Sequence, residues 1–319
     1  YGILDEAQYI KNVRALKTKS VKEIKARHRF ALTGTPIENS VVDLWSIFDY
    51  IMPGYFDELS RFMTSDPGAI ARKSAPFILR RIKADVLEDL PPRYERILSA
   101  DMTDEQRKLY EAMREQARRQ LEAGGKAFDI LPFLTRLRQI CVDPGMFAEN
   151  YRGGSGKLAM LEELIPEYLQ EGHRILIFSQ FVKALESVRS LLDKLGIPAY
   201  FLSGATSAQD RIDMMDSFNN GSGIDIFLIS LKAGGTGLNL IGADTVIHLD
   251  PWWNVAAENQ ASDRTHRIGQ TRNVEVIRLI AADTIEQRVV ELQEIKKEVI
   301  RQVISDDDGS VTSARLEDI

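Results

Sequence analysis

The sequence predicts an α/β fold in which a parallel β-sheet is wrapped by helices. From about Gly172 onward, short apolar segments alternate with amphipathic stretches, which is the pattern of repeated βα units. The predicted strands in this part are residues 175–178, 199–202, 226–229, 245–249 and 274–279. Strands that are joined by helices pair in parallel, because each helix returns the chain to the start of the next strand.

The predicted helices have recognisable starts. A capping residue and an acid or amide three positions later can each satisfy a free backbone N–H. Three such pairs occur: Thr103 with Gln106, Ser207 with Asp210, and Asp283 with Glu286. The last helix carries apolar residues at helical spacing, at Ile285, Val289, Leu292, Ile295 and Val299. This stripe predicts a brace helix that buries these side chains along the domain.

The chain divides into four predicted parts. Before residue 52 the only strand patterns are at 2–4 and 29–32, and two strands cannot form an α/β core. One further extended stretch, near 95–100, lies in an otherwise helical and charged region. The predicted parts are 1–52, the trailing part of a truncated first domain; 53–152, mainly helical insertions and linker; 153–304, the second domain with its brace helix; and 305–319, an acidic flexible tail.

Composition indicates an intracellular globular protein. The 319 residues are 44% hydrophobic, and no apolar run reaches the roughly 18 residues of a membrane span. Cys141 is the only cysteine, which excludes an intramolecular disulfide and a cysteine-rich metal site, and it is expected to be a small buried residue. The net charge of -6 does not favour nucleic-acid binding, but basic segments at 11–29 and 72–96 lie apart from the acidic tail.

Two polar motifs follow the strands of the first part. Asp5 and Glu6 come directly after an apolar strand end, where one carboxylate can hold Mg²⁺ and the other can orient an attacking water. An Asp-Glu pair alone is more often ordinary surface charge. The second motif, Thr33-Gly34-Thr35-Pro36, ends the next strand. Its hydroxyls can contact the acids, although alone it is also typical of a plain strand-to-helix turn.

The segment 230–239 is rich in closely spaced glycines and follows the strand at 226–229. Glycines let backbone N–H groups approach a phosphate. The spacing fits neither the P-loop nor the dinucleotide fingerprint, so the phosphate is expected to belong to nucleic acid, with a flexible helix entry as the alternative. Residues 153–157 resemble a phosphate loop, but Tyr151 and Leu158 occupy positions that require glycine and a hydroxyl residue.

Arg264 and Arg267 are three residues apart and share one face of a predicted helix. Paired guanidinium groups suit the charge that develops on the γ-phosphate during phosphoryl transfer. A surface ion-pair face is the alternative. Because the segment is polar, the prediction is that neither arginine belongs to the core.

Together these motifs resemble the superfamily 2 helicase-like ATPases, and specifically the Swi/Snf family of double-stranded DNA translocases. The resemblance covers nearly the whole chain up to the tail. Further segments carry it: residues 43–45, 77–86, 137–141, 155–158, 177–181 and 250–254. It implies two RecA-like lobes, of which this chain has the second and the end of the first.

The resemblance also implies roles for individual residues. Asp5 holds Mg²⁺ through water, Glu6 orients water, and Arg264 and Arg267 are arginine fingers that act on ATP. The residues that couple nucleotide to DNA are Gln8, Thr33, Gly34, Thr35, Gly235 and Gln260. Those that face the DNA backbone are Ser179, Gln180, Lys232, Gly235 and Thr236. Gln8 departs from the histidine that is common at its position.

The implied activity is ATP-driven tracking along double-stranded DNA, which remodels protein–DNA complexes without separating strands. The phosphate loop of the first lobe is absent from the sequence and is expected upstream, so the chain alone is expected to be inactive. Expected partners are double-stranded DNA, the missing part of the first lobe and other DNA-bound proteins, with no membrane. The expected location is the cytoplasm or nucleoid of a bacterium or the nucleus of a eukaryote. Two alternatives remain: a non-catalytic DNA- or partner-binding lobe, and a strand-separating helicase.

Overall fold

The computed structural model describes residues 1–34, 41–79, 81, 83, 87, 89–124, 126–148, 150–234 and 237–304. These residues form two compact units. The first contains Tyr1–Arg81, Asn254–Ala256 and the C-terminal stretch from Leu292; the second contains Ile82–Trp253 and Ala257–Glu291.

The first unit contains the two predicted strands. β1 (Gly2–Leu4) and β2 (Arg29–Ala31) pair in parallel, with Leu4 opposite Ala31. The helices of this unit are α1 (Leu16–Glu23), α2 (Val41–Ile51), α3 (Leu59–Phe62) and α4 (Pro67–Ser74), with 3₁₀ turns at Ala7–Ile10 and Ala75–Phe77. The apolar face of α2 packs on α3, α4 and the connecting loop through Leu44, Phe48, Phe56, Phe62 and Ile70.

The second unit is built on a six-stranded parallel sheet. Its strands are β3 (Arg93–Ala100), β4 (Ile175–Ser179), β5 (Ala199–Leu202), β6 (Ile226–Ser230), β7 (Thr245–His248) and β8 (Val274–Ala281). Their order in the sheet is β3-β8-β7-β4-β6-β5, and every pair is parallel. The five strands predicted here are confirmed, with ends displaced by at most two residues.

Helices cover both faces of this sheet. The helices of this part of the chain are α5 (Asp104–Glu122), α6 (Ala127–Val142), α7 (Gly156–Gln170), α8 (Val182–Leu195), α9 (Ala208–Asn219), α10 (Leu231–Gly234), α11 (Val255–Ser262) and α12 (Ile285–Ile304), with a 3₁₀ turn at Pro144–Met146. Residues 255 and 256 of α11 and α12 from Leu292 onward belong to the first unit. Alternate residues of β4 enter opposite cores: Ile177 packs with α7 and α8, and Phe178 packs with Phe218 of α9. The central strands are therefore apolar throughout, as expected for a parallel sheet covered on both sides.

The extended stretch predicted near 95–100 belongs to the large sheet. β3 pairs with β8 along its whole length, from Arg93 opposite Val274 to Ala100 opposite Ala281. This stretch was expected among the helical insertions, because an edge strand that carries charged residues such as Arg93, Glu95 and Arg96 lacks the continuous apolar run of the central strands. The division of the chain at residues 52 and 152 stays a prediction.

Two of the three predicted helix caps are confirmed. Thr103 and Gln106 form a capping box, and the Ser207 hydroxyl accepts a hydrogen bond from the Asp210 N–H at 3.1 Å. The third is wrong. Asp283 adopts a left-handed conformation with φ 56°, and the cap of α12 is Thr284, whose hydroxyl accepts from the Glu286 N–H at 3.2 Å.

The apolar stripe of α12 is only partly buried. Val289 is fully buried, whereas Leu292 and Ile295 are 41% and 48% exposed, so the predicted burial is wrong for these two residues. The side chain of Val299 lies outside the described part of the structure. Cys141 is buried as predicted. Within the described ranges, the structure contains no helix with the length and apolar character that crossing a membrane requires.

Candidate nucleotide and nucleic-acid site

The two polar motifs of the first unit lie side by side at one edge of its sheet. Asp5 and Glu6 follow β1, and Thr33 follows β2 one residue beyond Leu32. Leu32 donates its N–H to the Leu4 carbonyl at 2.7 Å, and Ala7 donates to the Leu32 carbonyl at 2.9 Å. Because the carboxyl ends of parallel strands meet at the same edge, two motifs that are distant in sequence become neighbours.

A hydrogen-bonded relay joins the motifs through Gln8. The side-chain amide of Gln8 donates from Nε2 to Glu6 Oε2 at 2.7 Å, and its Oε1 accepts from the Thr33 hydroxyl at 2.8 Å. Glu6 has φ 51° and ψ 51°, a left-handed conformation that costs a non-glycine residue about 1–3 kcal/mol. The structure thus holds the Glu6 carboxylate in one direction through both its backbone and its side chain.

Asp5 fits the role of a hydrated magnesium ligand. Its side chain is exposed, and Oδ1 accepts the N–H of Glu6 at 2.9 Å. An exposed carboxylate of this kind suits Mg²⁺, which keeps most of its waters and is usually bound by one or two carboxylates together with substrate phosphates. Among the described residues no group of three or more potential metal ligands occurs. Gly34 is exposed beside Thr33, and Thr35 lies outside the described residues.

The second unit has its topological switch point between β4 and β7. From β4 the chain passes to β5 and β6 on one side of the sheet, and then crosses to β7 and β8 on the other. In open parallel sheets, ligands bind outside the carboxyl ends of the strands where the order reverses. Ser179 ends β4, and Asp250 follows β7 at this place.

A polar network fills the switch point. Ser179 and the side chain of Gln180 both donate to the buried Asp250 carboxylate, and the Gln180 N–H reaches the same carboxylate at 3.3 Å. The buried Arg138 of α6 donates to Gln180 Oε1 at 3.0 Å and to the Pro251 carbonyl. One arginine therefore ties the segments after β4 and β7 to a helix of the insertion.

This network corrects one predicted DNA contact. The side chain of Ser179 is fully buried and donates to Asp250, so it holds the switch point together and does not face solvent. Gln180 is half-buried, and its side-chain amide is hydrogen-bonded to Asp250 and Arg138. Arg138 was missed as a site residue. Its signal was an arginine next to the apolar residues Leu137, Ile140 and Cys141 of α6, because a buried cation needs partners that converge on it.

Lys232 fits the predicted nucleic-acid surface. It lies on α10, immediately after β6, and its side chain is exposed. The adjacent Ala233 is buried and donates its N–H to the Ser230 hydroxyl at 3.4 Å. Gly235 and Thr236, the other predicted contacts of this loop, lie outside the described residues.

Arg264 and Arg267 meet at a backbone carbonyl and do not share a helical face. Helix α11 ends at Ser262, so the helical placement predicted for both arginines is wrong. Arg267 donates from Nη1 to the Leu238 carbonyl at 3.3 Å and from Nε to the Asp263 carbonyl at 3.0 Å. Arg264 approaches the Leu238 carbonyl at 3.5 Å. The two guanidinium groups are thus gathered where the glycine-rich segment ends.

The two arginines differ in burial. Arg264 is only 4% exposed, which contradicts the prediction that it lies outside the core. Arg267 is half-buried, and Gln260, the predicted coupling residue on α11, is half-buried as well. Arg264 is buried because it lies in a turn that packs against the segment after residue 237. On a regular surface helix both arginines would be accessible. A polar sequence segment alone could not distinguish these arrangements.

Lys157 belongs to the segment 153–157, which resembles a phosphate loop, but its side chain has a structural role. Lys157 is fully buried and donates to the carbonyls of Leu249 and Leu279 at 2.7 and 2.9 Å. Its Nζ also lies 2.6 Å from the buried Glu286 carboxylate. Burial raises the pKa of Glu286, while Lys157 opposes that rise. Lys157 therefore joins the ends of β7 and β8 to α12 and is not available to a phosphate.

Comparison with known proteins identifies the class of this fold. The SNF2-related domain family matches residues 1–146, and the helicase conserved C-terminal domain family matches residues 156–269. The chain is thus of the helicase-like class with a RecA-like sheet. The Sulfolobus solfataricus SWI2/SNF2 ATPase core, solved in complex with double-stranded DNA, is 36% identical over 96% of this chain and 69% of that chain, with a TM-score of 0.59. The chain belongs to the SWI2/SNF2 ATPase family.

Curated relatives come from bacteria and eukaryotes. A putative ATP-dependent helicase/translocase of Bacillus subtilis, YwqA, is 37% identical over 94% of this chain and 35% of the relative. The mouse SWI/SNF-related matrix-associated actin-dependent regulator of chromatin subfamily A member 1 is 35% identical over 93% of this chain and 31% of the relative. The chain spans about a third of the length of the curated relatives it matches.

Proposed function

We propose that the chain is part of an ATP-dependent double-stranded DNA translocase, which remodels protein–DNA complexes without separating the strands. The observation that carries the proposal is the 36% identity, over 96% of the chain, to an archaeal ATPase core solved on double-stranded DNA. The relay from Glu6 through Gln8 to Thr33 supports a nucleotide role for the first unit.

In the proposed reaction, each residue of the first unit acts on ATP from the edge of the small sheet. Asp5 holds Mg²⁺ through water, and the bound ion would neutralise phosphate charge. Glu6, held in direction by Gln8, orients the water that attacks the γ-phosphate. The residues Thr33, Gly34 and Thr35 are proposed to sense whether that phosphate is present, because Thr33 contacts the same glutamine.

The second unit would supply positive charge and grip DNA. Arg264 and Arg267 stabilise charge on the transferred phosphoryl group, as arginine fingers do, with Gly235 and Gln260 coupling that event to the DNA surface. Gln180, Lys232, Gly235 and Thr236 contact the DNA backbone. Phosphate contacts carry no sequence information, so the proposed enzyme moves along DNA of any sequence and meets whatever proteins are bound there. Its proposed location is the nucleoid or cytoplasm of a bacterium or the nucleus of a eukaryote.

A phosphate-binding loop is required from outside these residues. The sequence contains no Gly-x-x-x-x-Gly-Lys-[Ser/Thr] motif, and Lys157 of the similar segment is buried. That loop normally cradles the β- and γ-phosphates. The 319 residues alone are therefore proposed not to hydrolyse ATP. Turnover by the purified chain, stimulated by duplex DNA, would contradict this part of the proposal.

The experiment that tests the function compares two displacement assays in the full-length protein. The expected result is ATP-dependent displacement of a third strand from a triplex, with no separation of a blunt duplex of equal length. Separation of the duplex would favour a strand-separating helicase. Duplex binding without either activity, and without ATP turnover, would favour a non-catalytic DNA-binding lobe. Glu6→Gln is the matched control, since it removes the proposed water-orienting carboxylate and keeps the side-chain size.

A further inference from the structure

Asp263 lies between the arginine-bearing turn and the chain segment that enters the second unit. Its Oδ1 is 2.9 Å from Lys83 Nζ and 3.1 Å from Arg93 Nη1. Its own carbonyl accepts from Arg267 Nε at 3.0 Å. Asp263 thus binds two cations through its side chain and one proposed arginine finger through its backbone.

The neighbouring His266 makes a second pair of contacts to the same segment. Lys83 Nζ donates to the His266 carbonyl at 3.1 Å, and His266 Nε2 lies 2.8 Å from the Pro91 carbonyl. We call Lys83, Arg93, Asp263 and His266 the clamp. The clamp fixes the turn on both sides of Arg264: at Asp263, one residue before it, and at His266, two residues after it.

The exposure of the ion pair between Lys83 and Asp263 argues against a role of this pair in holding the fold. The side chains of Lys83 and Asp263 are 42% and 34% exposed, and ion pairs this accessible contribute under about 1 kcal/mol to stability. By contrast, a displacement of about 1 Å in a group that acts on a transition state can lower a rate by about 10²-fold. Contacts of this kind matter more for the position of a turn than for its stability.

We propose that Asp263, held by Lys83 and Arg93, is a positioning residue that places Arg264 and Arg267 for phosphoryl transfer. The inference rests on the proposed function, because it assigns the arginines to that reaction. Lys83 is two residues beyond Arg81, where the N-terminal stretch of the first unit ends. The clamp therefore makes the position of the arginines depend on the segment through which the chain leaves that unit.

The test measures ATP turnover in the full-length protein with saturating duplex DNA. Asp263→Asn removes the charge and keeps the shape, and should lower kcat by about 10²-fold while KM for ATP and DNA affinity change less than about twofold. Lys83→Met should lower kcat less, because Arg93 still holds Asp263. In the double variant the two losses should not multiply, since both changes remove the same ion pair between Lys83 and Asp263. Glu115→Gln is the matched control: Glu115 also binds two arginines, Arg118 and Arg119, and is 40% exposed.

Each other outcome overturns the inference. If Asp263→Asn keeps kcat within about twofold while Arg267→Ala loses turnover, the clamp does not position the arginines and the proposed function stands. If Arg267→Ala also keeps its turnover, both the inference and the assigned role of the arginines fall. Turnover is scaled to the folded fraction measured by thermal unfolding. If Asp263→Asn does not fold, Lys83→Met decides, and an unchanged kcat in that variant overturns the inference.

Discussion

Thr33 donates its hydroxyl hydrogen to Gln8 at 2.8 Å, and the same glutamine donates to the Glu6 carboxylate at 2.7 Å. A glutamine can accept from one partner and donate to the other at once, without a change of charge. A histidine in place of Gln8 could do both only as one neutral tautomer. Glutamine therefore links the two motifs without placing a titratable group between them.

Gln8→Ala tests this relay. The change should lower ATP turnover of the full-length protein by about 10-fold or more, because the Glu6 carboxylate loses the partner that orients it. The free energy of unfolding should fall by only about 1 kcal/mol, the net value of an ordinary hydrogen bond. Steady-state ATPase assays and denaturant titration measure the two effects. Gln209→Ala, which removes a similar exposed hydrogen bond to Asp213 at 2.8 Å, should leave turnover unchanged, and an equal loss there would contradict the account.

Arg264→Ala and Arg267→Ala should lower ATP turnover to a similar extent but should differ in how much they destabilise the fold. Each should lower kcat by roughly 10³- to 10⁵-fold as an arginine finger. Arg264 is 4% exposed, so its removal should also destabilise the fold by about 2–4 kcal/mol through lost buried contacts. Arg267 is half-buried, and its loss should cost about 1 kcal/mol or less. Thermal unfolding that ranks the two variants in the opposite order would contradict the burial argument.

The buried pair of Lys157 and Glu286 should behave as one unit in folding. Lys157→Met leaves the Glu286 carboxylate buried without its cation and should destabilise the protein by about 3–5 kcal/mol. The double change Lys157→Met with Glu286→Leu should recover much of that loss, because apolar replacements of buried ion pairs are often neutral. Denaturant unfolding of the two single variants and the double variant measures the coupling. Additive losses would show that the pair is not coupled.

His248 should make the protein less stable in mild acid. Burial, together with the nearby Arg278 and Arg93, lowers the pKa of His248 to about 3, against 6.5 ordinarily. Below about pH 6.5 His248 is protonated in the unfolded chain but stays neutral in the folded protein. The free energy of unfolding therefore falls as pH decreases towards 3. At about pH 5 the loss is about 2 kcal/mol. The test compares how much the free energy of unfolding falls between about pH 7 and pH 5 in the wild type and in His248→Gln. The fall should be smaller in His248→Gln by about 2 kcal/mol. An equal fall in both proteins would contradict the lowered pKa of His248.

Much of the fold followed from local patterns. The central strands are continuous apolar runs such as Ile226–Ser230, and a buried parallel sheet requires that pattern. The sequence did not reveal that β3 joins the large sheet, because its partner, β8, lies more than 170 residues further along the chain, and no local pattern encodes such a pairing. The cap predicted at Asp283 was wrong for a local reason, because Asp283 adopts φ 56° and the adjacent Thr284 provides the cap.

The sequence indicated which residues of the first unit lie together. Asp5, Glu6 and Thr33 were singled out by their positions at strand ends and Gln8 by the family resemblance, and the structure brings the last three of these side chains, those of Glu6, Gln8 and Thr33, into one relay. Ser179 was expected to face the DNA backbone from the family resemblance, but its side chain donates to Asp250, 71 residues away. Burial at such a place depends on tertiary partners, which spacing along the chain does not reveal.

The most direct test of the central claim is ATP turnover by the full-length protein with and without blunt double-stranded DNA. The account predicts turnover that rises strongly on adding duplexes of unrelated sequence to a similar extent, and that is nearly abolished by Glu6→Gln. Lys232→Ala should weaken duplex binding about equally for every sequence and make the binding less dependent on salt, as the loss of one phosphate contact does. Turnover that is absent, indifferent to duplex DNA, or intact in Glu6→Gln would contradict the assignment of this chain to a DNA-stimulated ATPase motor.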